Sequence, residues 1–142
     1  MVNTLFFRQK IPAAALPRAL IAKWGSEALT EGFVPLPKRL LRCMNRIFHG
    51  PDAIERLVVM MAIVDYLRPN LTRGPSKEYL GFVAGLSPDR VGVILSDLKA
   101  DGLVTVEEKV AGELDLGIGG LLARVEALAD VEADGHTDFF HE

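Results

Sequence analysis

Segment 76–100 constrains the fold more than any other part of the sequence, because it carries start and stop signals for two consecutive helices. Ser76 is a good N-cap for a first helix, and Gly85 stands where that helix must stop and turn sharply. Ser87 and Pro88 follow at once, and they are the preferred N-cap and first-turn residues of a second helix. Two helices joined by a tight turn are therefore predicted.

The small and apolar residues of this segment have the spacing of a helix-turn-helix. In that motif a small residue lies four positions before the turn glycine and an apolar residue six positions after it, here Gly81 and Val91. Gly81 lets the helices approach closely, and Gly85 accepts a positive φ. Gly92 departs from the pattern, because glycine weakens a helix by about 1 kcal/mol relative to alanine.

Two runs of alternating apolar and polar residues, 103–107 and 113–118, follow the second helix and predict the strands of a β-hairpin. The residues between the two runs form its predicted turn. The predicted fold is therefore mainly α with a small β-hairpin, in the α+β class.

The order of helix, turn, helix and hairpin over residues 75–118 resembles the winged helix-turn-helix superfamily. The junction 98–104, with the sequence LKADGLV, is similar to the one that leads from recognition helix to wing in many winged-helix regulators. The resemblance points to MarR-like regulators and to the DNA-binding domains of plasmid and phage replication initiators, to which segment 32–41 is also similar. It implies that the chain binds duplex DNA as a transcription regulator, with a non-catalytic accessory role in replication initiation as an alternative.

The flanking sequence divides the chain into an arm, a domain and a tail. The predicted segments are an N-terminal arm at 1–36 with a helix over 16–29, a winged-helix domain at 37–130, and an acidic flexible tail at 131–142. Within the domain we expect the helix-turn-helix at 76–100, the wing at 103–118 and a C-terminal helix at 121–130. Gly119 and Gly120 are predicted to form a hinge before that last helix.

A basic amphipathic helix is predicted over residues 38–48, where apolar residues recur on one face after two prolines. The apolar face consists of Leu40, Leu41, Met44, Ile47 and Phe48. The opposite face consists of Lys38, Arg39, Arg42 and Arg46. Two interpretations of the basic face stay open: a solvated helix surface, or a surface that contacts phosphate groups.

A long core helix is predicted from Ala53 to about Leu67, with Asp52 as its N-cap. Residues at spacings of three and four predict its buried stripe, formed by Ile54, Leu57, Val58, Met61, Val64 and Leu67. Cys43, on the preceding helix, is also expected in the core.

The resemblance implies six DNA-contacting residues. If the second helix enters the major groove, Arg90 can contact a guanine, Ser96 can hydrogen-bond a base and Val93 can touch a thymine methyl group. The phosphate backbone is expected to contact Arg73, Lys77 and Lys99.

The charge distribution leaves a second hypothesis open. Residues 1–99 contain 14 basic and 8 acidic side chains, a charge of +6, whereas residues 100–142 contain 2 and 11, a charge of −9. The basic part favours a polyanionic partner. The acidic wing favours a protein partner instead, so the alternative is a protein-interaction module without DNA affinity. The C-terminal helix is compatible with a homodimer or with packing on its own core.

Catalysis is not expected, because the sequence has no glycine-rich phosphate loop with a lysine and no recognisable catalytic triad. The three histidines, at 49, 136 and 141, lack the spacing of a metal site, so neither a metal nor a cofactor is predicted.

The longest apolar run, 57–64, is far shorter than the roughly 20 residues that span a bilayer. With no secretory signal and a lone cysteine, a cytoplasmic protein without membrane contact is predicted.

Overall fold

The chain separates into two compact units, 1–35 and 36–142. The computed structural model describes residues 12–32, 34–67 and 73–133. In the first unit, helix α1 spans Arg18–Trp24 and packs against a short 3-10 helix at Glu27–Leu29. The helix predicted over 16–29 is therefore shorter than expected, because Gly25 caps α1 by donating its N–H to the Ile21 carbonyl at 2.7 Å.

The second unit contains the remaining helices and a hairpin. These elements are α2 (Lys38–Ile47), α3 (Ala53–Tyr66), α4 (Lys77–Ala84), α5 (Pro88–Ala100), β1 (Thr105–Glu108), β2 (Leu114–Gly117) and α6 (Gly119–Ala133). The strands pair antiparallel, with Thr105 opposite Gly117 and Glu108 opposite Leu114. This arrangement confirms the predicted fold class, mainly α with a small β-hairpin.

The core lies where α3, α4 and α5 pack against one another, while α2 packs against α6. The larger side chains that are fully buried include Met60, Ile63, Leu80, Val91, Ile94, Leu98, Leu103, Leu114 and Leu121. Each such side chain contributes about 1.5–3 kcal/mol by leaving water. Most of them belong to α3, α5 and the elements that follow α5, so the helix pair α4–α5 is fixed by its packing on α3.

The turn between α4 and α5 forms as the sequence predicts. The hydroxyl oxygens of Ser76 and Ser87 accept hydrogen bonds at 3.1 Å from the backbone N–H groups three residues later, capping α4 and α5. Gly85 ends α4 with φ 74°, in the left-handed region that glycine adopts without strain. Gly81 is also required, because a side chain there would overlap the carbonyl oxygen of Leu86.

The hairpin is tied to the chain that precedes α4. The N–H of Leu114 in β2 donates to the carbonyl of Pro75 at 2.9 Å. The predicted first strand, 103–107, begins too early, because Leu103 and Val104 are buried core residues ahead of β1. The link to Pro75 places β2 beside the start of the helix pair.

The predicted buried stripe of α3 is wrong. Ile54 is 78% exposed. The buried positions of α3 are instead Val59, Met60, Ala62, Ile63 and Tyr66. Residues 57–64 are uniformly apolar, so their periodicity does not select one face, and packing on α4 and α5 decides which side is covered. Asp52 also makes no side-chain cap, because its carboxylate faces Arg90.

Two further details of the packing differ from the sequence prediction. On α2, Cys43 is buried as expected, but Leu41 is 52% exposed and lies outside the apolar face. On α6, the glycine pair belongs to the first turn of the helix and is not a hinge. The reason is that Leu121 donates its N–H to the Leu103 carbonyl at 2.9 Å, which holds this turn against the end of α5. Helix α6 continues to Ala133, and the rest of the predicted tail, 134–142, lies outside the described residues.

Replacing Gly92 with alanine should raise the free energy of unfolding by about 0.5–1 kcal/mol, since alanine is the better helix former. A methyl group there would lie 3.6 Å from Nζ and 3.7 Å from Cε of Lys77, which is ordinary contact. Urea denaturation of both proteins measures the difference. A loss of stability would contradict the prediction and would mean that the Lys77 side chain requires the open space over Gly92.

Candidate nucleic-acid interface

The outward face of α5 carries three of the residues predicted to contact DNA. Val93 is 49% exposed, and Ser96 and Lys99 are also exposed. The Ser96 hydroxyl donates to the carbonyl of Gly92 at 3.1 Å, leaving its oxygen lone pairs toward solvent. Asp89 and Asp97 are exposed on the same helix. This face therefore combines an apolar contact, a hydroxyl and one cation with two carboxylates.

Arg90, the predicted guanine-contacting residue, is held by two carboxylates at the beginning of α3. Its Nε and Nη2 atoms donate to the two carboxylate oxygens of Glu55 at 2.9 and 2.7 Å. Nη2 also lies 3.1 Å from Oδ1 of Asp52. The hydrogen bonds from Arg90 lower the pKa of Glu55 below its usual 4.5, and they raise the pKa of Arg90 further. The guanidinium is thus engaged within the protein.

Lys77 connects the first helix of the pair to the hairpin. Its ammonium lies 2.6 Å from Oε1 of Glu108 in β1, and its side chain runs past Gly92 of α5. The hydrogen bond to Glu108 raises the pKa of Lys77, and the same bond lowers the pKa of Glu108. Lys77 therefore holds β1 against the helix pair.

Arg73 makes a similar contact on the other strand. Its Nε donates to Oε1 of Glu113 at 2.9 Å, although the arginine side chain is mostly exposed. Three of the six predicted contact residues are consequently paired with carboxylates of the same unit. Between residues 73 and 117 there are five basic and eight acidic side chains, a net charge of −3. The net negative charge of this surface opposes the binding of a polyanion unless the paired cations exchange their carboxylate partners for groups of the polyanion.

The pairing of Arg90 with Glu55 and Asp52 could not be predicted from the sequence. They lie 35 and 38 positions before Arg90, and no local spacing connects residues so far apart. The only signal was the position of Glu55 in the first turn of α3, where an acidic residue is favoured by the helix dipole. Its pairing with Arg90 is a product of the tertiary packing of α5 on α3.

An open cleft of about 430 Å³ lies beside the C-terminal end of α5, and its lining includes His49, Arg56, Asp97 and Arg124. Both arginines bind Asp101: Nη2 of Arg56 donates to its carboxylate and Nη2 of Arg124 to its backbone carbonyl, each at 2.7 Å. Cations at this end of a helix are favoured by its dipole. The two arginines therefore serve to stabilise the end of α5.

The outward face of α2 has a different character. Lys38, Arg39, Arg42 and Arg46 are all exposed, and no acidic residue lies within the helix. Lys38, Arg39 and Arg42 form no ion pair with any residue that the structure describes. Among the described residues of this unit, the basic side chains without a carboxylate partner are therefore three on α2, together with Lys99 on α5 and Arg124 on α6, which donates to a backbone carbonyl.

No family model matches the chain, and no curated protein matches it in sequence. Over residues 12–32, 34–67 and 73–133, no helix is long and apolar enough to cross a bilayer. In the same ranges no three His, Cys, Asp or Glu side chains are grouped as metal ligands would be.

The ion pairs of Glu55 and Glu108 should make stability depend on pH. Folding lowers both pKa values below 4.5, so their contribution is complete above pH 4.5 and is lost as the pH falls through the folded-state values. The double variant Glu55→Gln/Glu108→Gln should therefore melt below the wild type at neutral pH, and this difference should shrink under acidic conditions. Thermal unfolding at a series of pH values measures it. A difference that stays constant down to about pH 3 would contradict the assignment.

Proposed function

We propose that this chain is a winged-helix protein that binds duplex DNA, as a transcription regulator and without catalytic activity. The observation that carries the proposal is the arrangement of α3, α4, α5 and the hairpin. The helix pair turns at a left-handed Gly85, and β2 bonds to Pro75 just before that pair. In winged helices the second helix of such a pair enters the major groove, and the hairpin lies beside it.

In this proposal α5 is the recognition helix and β1–β2 is the wing. Val93 and Ser96 lie closest to the base edges, and Lys99 contacts a phosphate. Arg90 reaches the DNA only after exchanging Glu55 for a phosphate or a guanine. Because an arginine stays charged at every relevant pH, it keeps its hydrogen-bond donors through this exchange, and either an anionic phosphate or the neutral acceptor atoms of a guanine can accept from them.

A second candidate function, a protein-interaction module, is favoured by the outer surface of the hairpin. Glu107 is exposed and without an ion-pair partner among the described residues, and Val110 at the hairpin turn is 92% exposed. The hairpin is therefore acidic beside an apolar tip, and Asp89 and Asp97 of α5 add two exposed carboxylates to the same unit. A partner protein with a basic, apolar-centred patch would complement it.

Titration of the protein against a fluorescein-labelled duplex of mixed sequence, followed by fluorescence anisotropy at low and at physiological salt, tests the proposal. Binding that weakens steeply with salt would support it, because counterions are released only when cations contact phosphates. An absence of binding even at low salt would overturn it. The protein-interaction function would then be the better explanation of the acidic hairpin.

A further inference from the structure

The unpaired cations of α2 are presented on a rigid surface. Its inward side chains Leu40, Cys43 and Ile47 are buried, and the helix packs against α6. Lys38 and its neighbours Arg39 and Arg42 project from the opposite side. Because the helix is fixed by its packing, the backbone positions that carry these charges keep a constant spacing, and no backbone has to be ordered when a ligand binds.

Pairing distinguishes α2 from α5. On α5, a phosphate must displace Glu55 before it can bind Arg90. On α4, a phosphate must displace Glu108 before it can bind Lys77. An exposed cation without a partner can neutralise a phosphate without first breaking an ion pair, and the counterions that this releases from the DNA favour binding. Lys38, Arg39 and Arg42 therefore each have more to contribute to the binding of a polyanion than either paired cation.

We infer that the outward face of α2 is a second DNA-contacting surface, which binds phosphates of the duplex backbone without reading sequence. The choice of DNA as the partner rests on the proposed function. Lys38 and Arg42 are separated by about 6 Å along the helix axis. One DNA strand presents a phosphate about every 3.4 Å of its axis, so the three side chains can reach two or three neighbouring phosphates.

The burial pattern of α2 favours a nucleic acid over an anionic membrane. A helix that binds at a membrane surface needs a free apolar face to insert between the lipids. The apolar face of α2 is covered within the fold, and Leu41 is its one apolar side chain that is more than half exposed. Arginine also suits phosphate oxygens, since its guanidinium donates two parallel hydrogen bonds.

The test compares two double variants, each of which loses two positive charges. Arg39→Gln/Arg42→Gln alters α2, and the control Arg18→Gln/Lys23→Gln alters exposed residues of α1. Anisotropy titrations with the mixed-sequence duplex are repeated over a range of salt. At about 0.1 M salt the α2 variant should bind at least roughly ten-fold more weakly, and its salt slope should fall by about 1.8. The control should keep the wild-type slope.

The outcomes separate this inference from the proposed function. If the wild type binds no DNA, both fail. If it binds and the α2 variant matches the control in affinity and slope, α2 does not contact DNA, and the winged-helix function stands alone. Sedimentation with phosphatidylserine-containing vesicles adds a third result: vesicle binding lost in the α2 variant while DNA affinity is kept would overturn the inference in favour of a membrane surface. Circular dichroism checks that both variants are folded.

Discussion

Replacing Gly81 with alanine is expected to lower the free energy of unfolding by about 2 kcal/mol, although alanine is the better helix former. The added methyl group would overlap the carbonyl oxygen of Leu86, a backbone atom that cannot rotate away like a side chain. The turn is also fixed from the other side, because the N–H of Leu86 donates to the Gly81 carbonyl at 2.9 Å. The overlap must therefore be relieved by separating α4 from the turn. Urea denaturation measures the loss.

Gly92→Ala is the matched control, because it is the same substitution on the other helix of the pair. There the methyl group would meet only the flexible end of Lys77. The two variants should therefore shift stability in opposite directions. If Gly81→Ala were as stable as the wild type, the helices would not be in close contact at this turn, and the proposed recognition helix would have no fixed orientation.

The caps and the turn of this helix pair show what the sequence could predict. The caps at Ser76 and Ser87 and the turn at Gly85 depend on neighbouring residues, and the structure has each of them as predicted. Local chemistry of this kind acts over three or four positions, so it can be read without knowing the fold. The helix pair and the hairpin that follows it were predictable for that reason.

The face that α3 buries could not be predicted in the same way. Its middle is apolar on every side, so burial is decided by where α4 and α5 cover it, and Ile54 is exposed as a result. The position at which α6 begins was unpredictable for a similar reason. Its first turn is held by a hydrogen bond to Leu103, and its own glycines do not form a hinge. Tertiary packing overrides local pattern at both positions.

The candidate site shows the same division. The exposure of Val93, Ser96 and Lys99 follows from helical periodicity and was predictable. The pairing of Arg90 with Glu55 was not, because it joins two helices that are distant in sequence. This pairing changes the electrostatic character of the surface, since it neutralises a cation that lies one turn before Val93 on α5.

Replacing Glu55 with glutamine should therefore tighten the binding of duplex DNA, by roughly five- to ten-fold at about 0.1 M salt. The substitution keeps the size of the side chain, removes one negative charge and replaces the two-bond ion pair of Arg90 by a weaker hydrogen bond to a neutral amide, so that a phosphate can release Arg90 more easily. A released arginine that contacts one more phosphate should also steepen the salt slope by about 0.9. Asp52 still lies 3.1 Å from Arg90, so the double variant Asp52→Asn/Glu55→Gln should bind more tightly again. Anisotropy titrations over a range of salt give both quantities.

Glu107→Gln is the control for charge alone, because it removes the same negative charge from the hairpin and releases no cation. It should raise affinity less than Glu55→Gln and leave the salt slope unchanged. Equal effects of the two variants would mean that Arg90 does not reach DNA when it is released. Weaker binding by Glu55→Gln would mean that the ion pair orients α5 for binding, so that Arg90 acts by positioning the helix and Val93, Ser96 and Lys99 make the contacts.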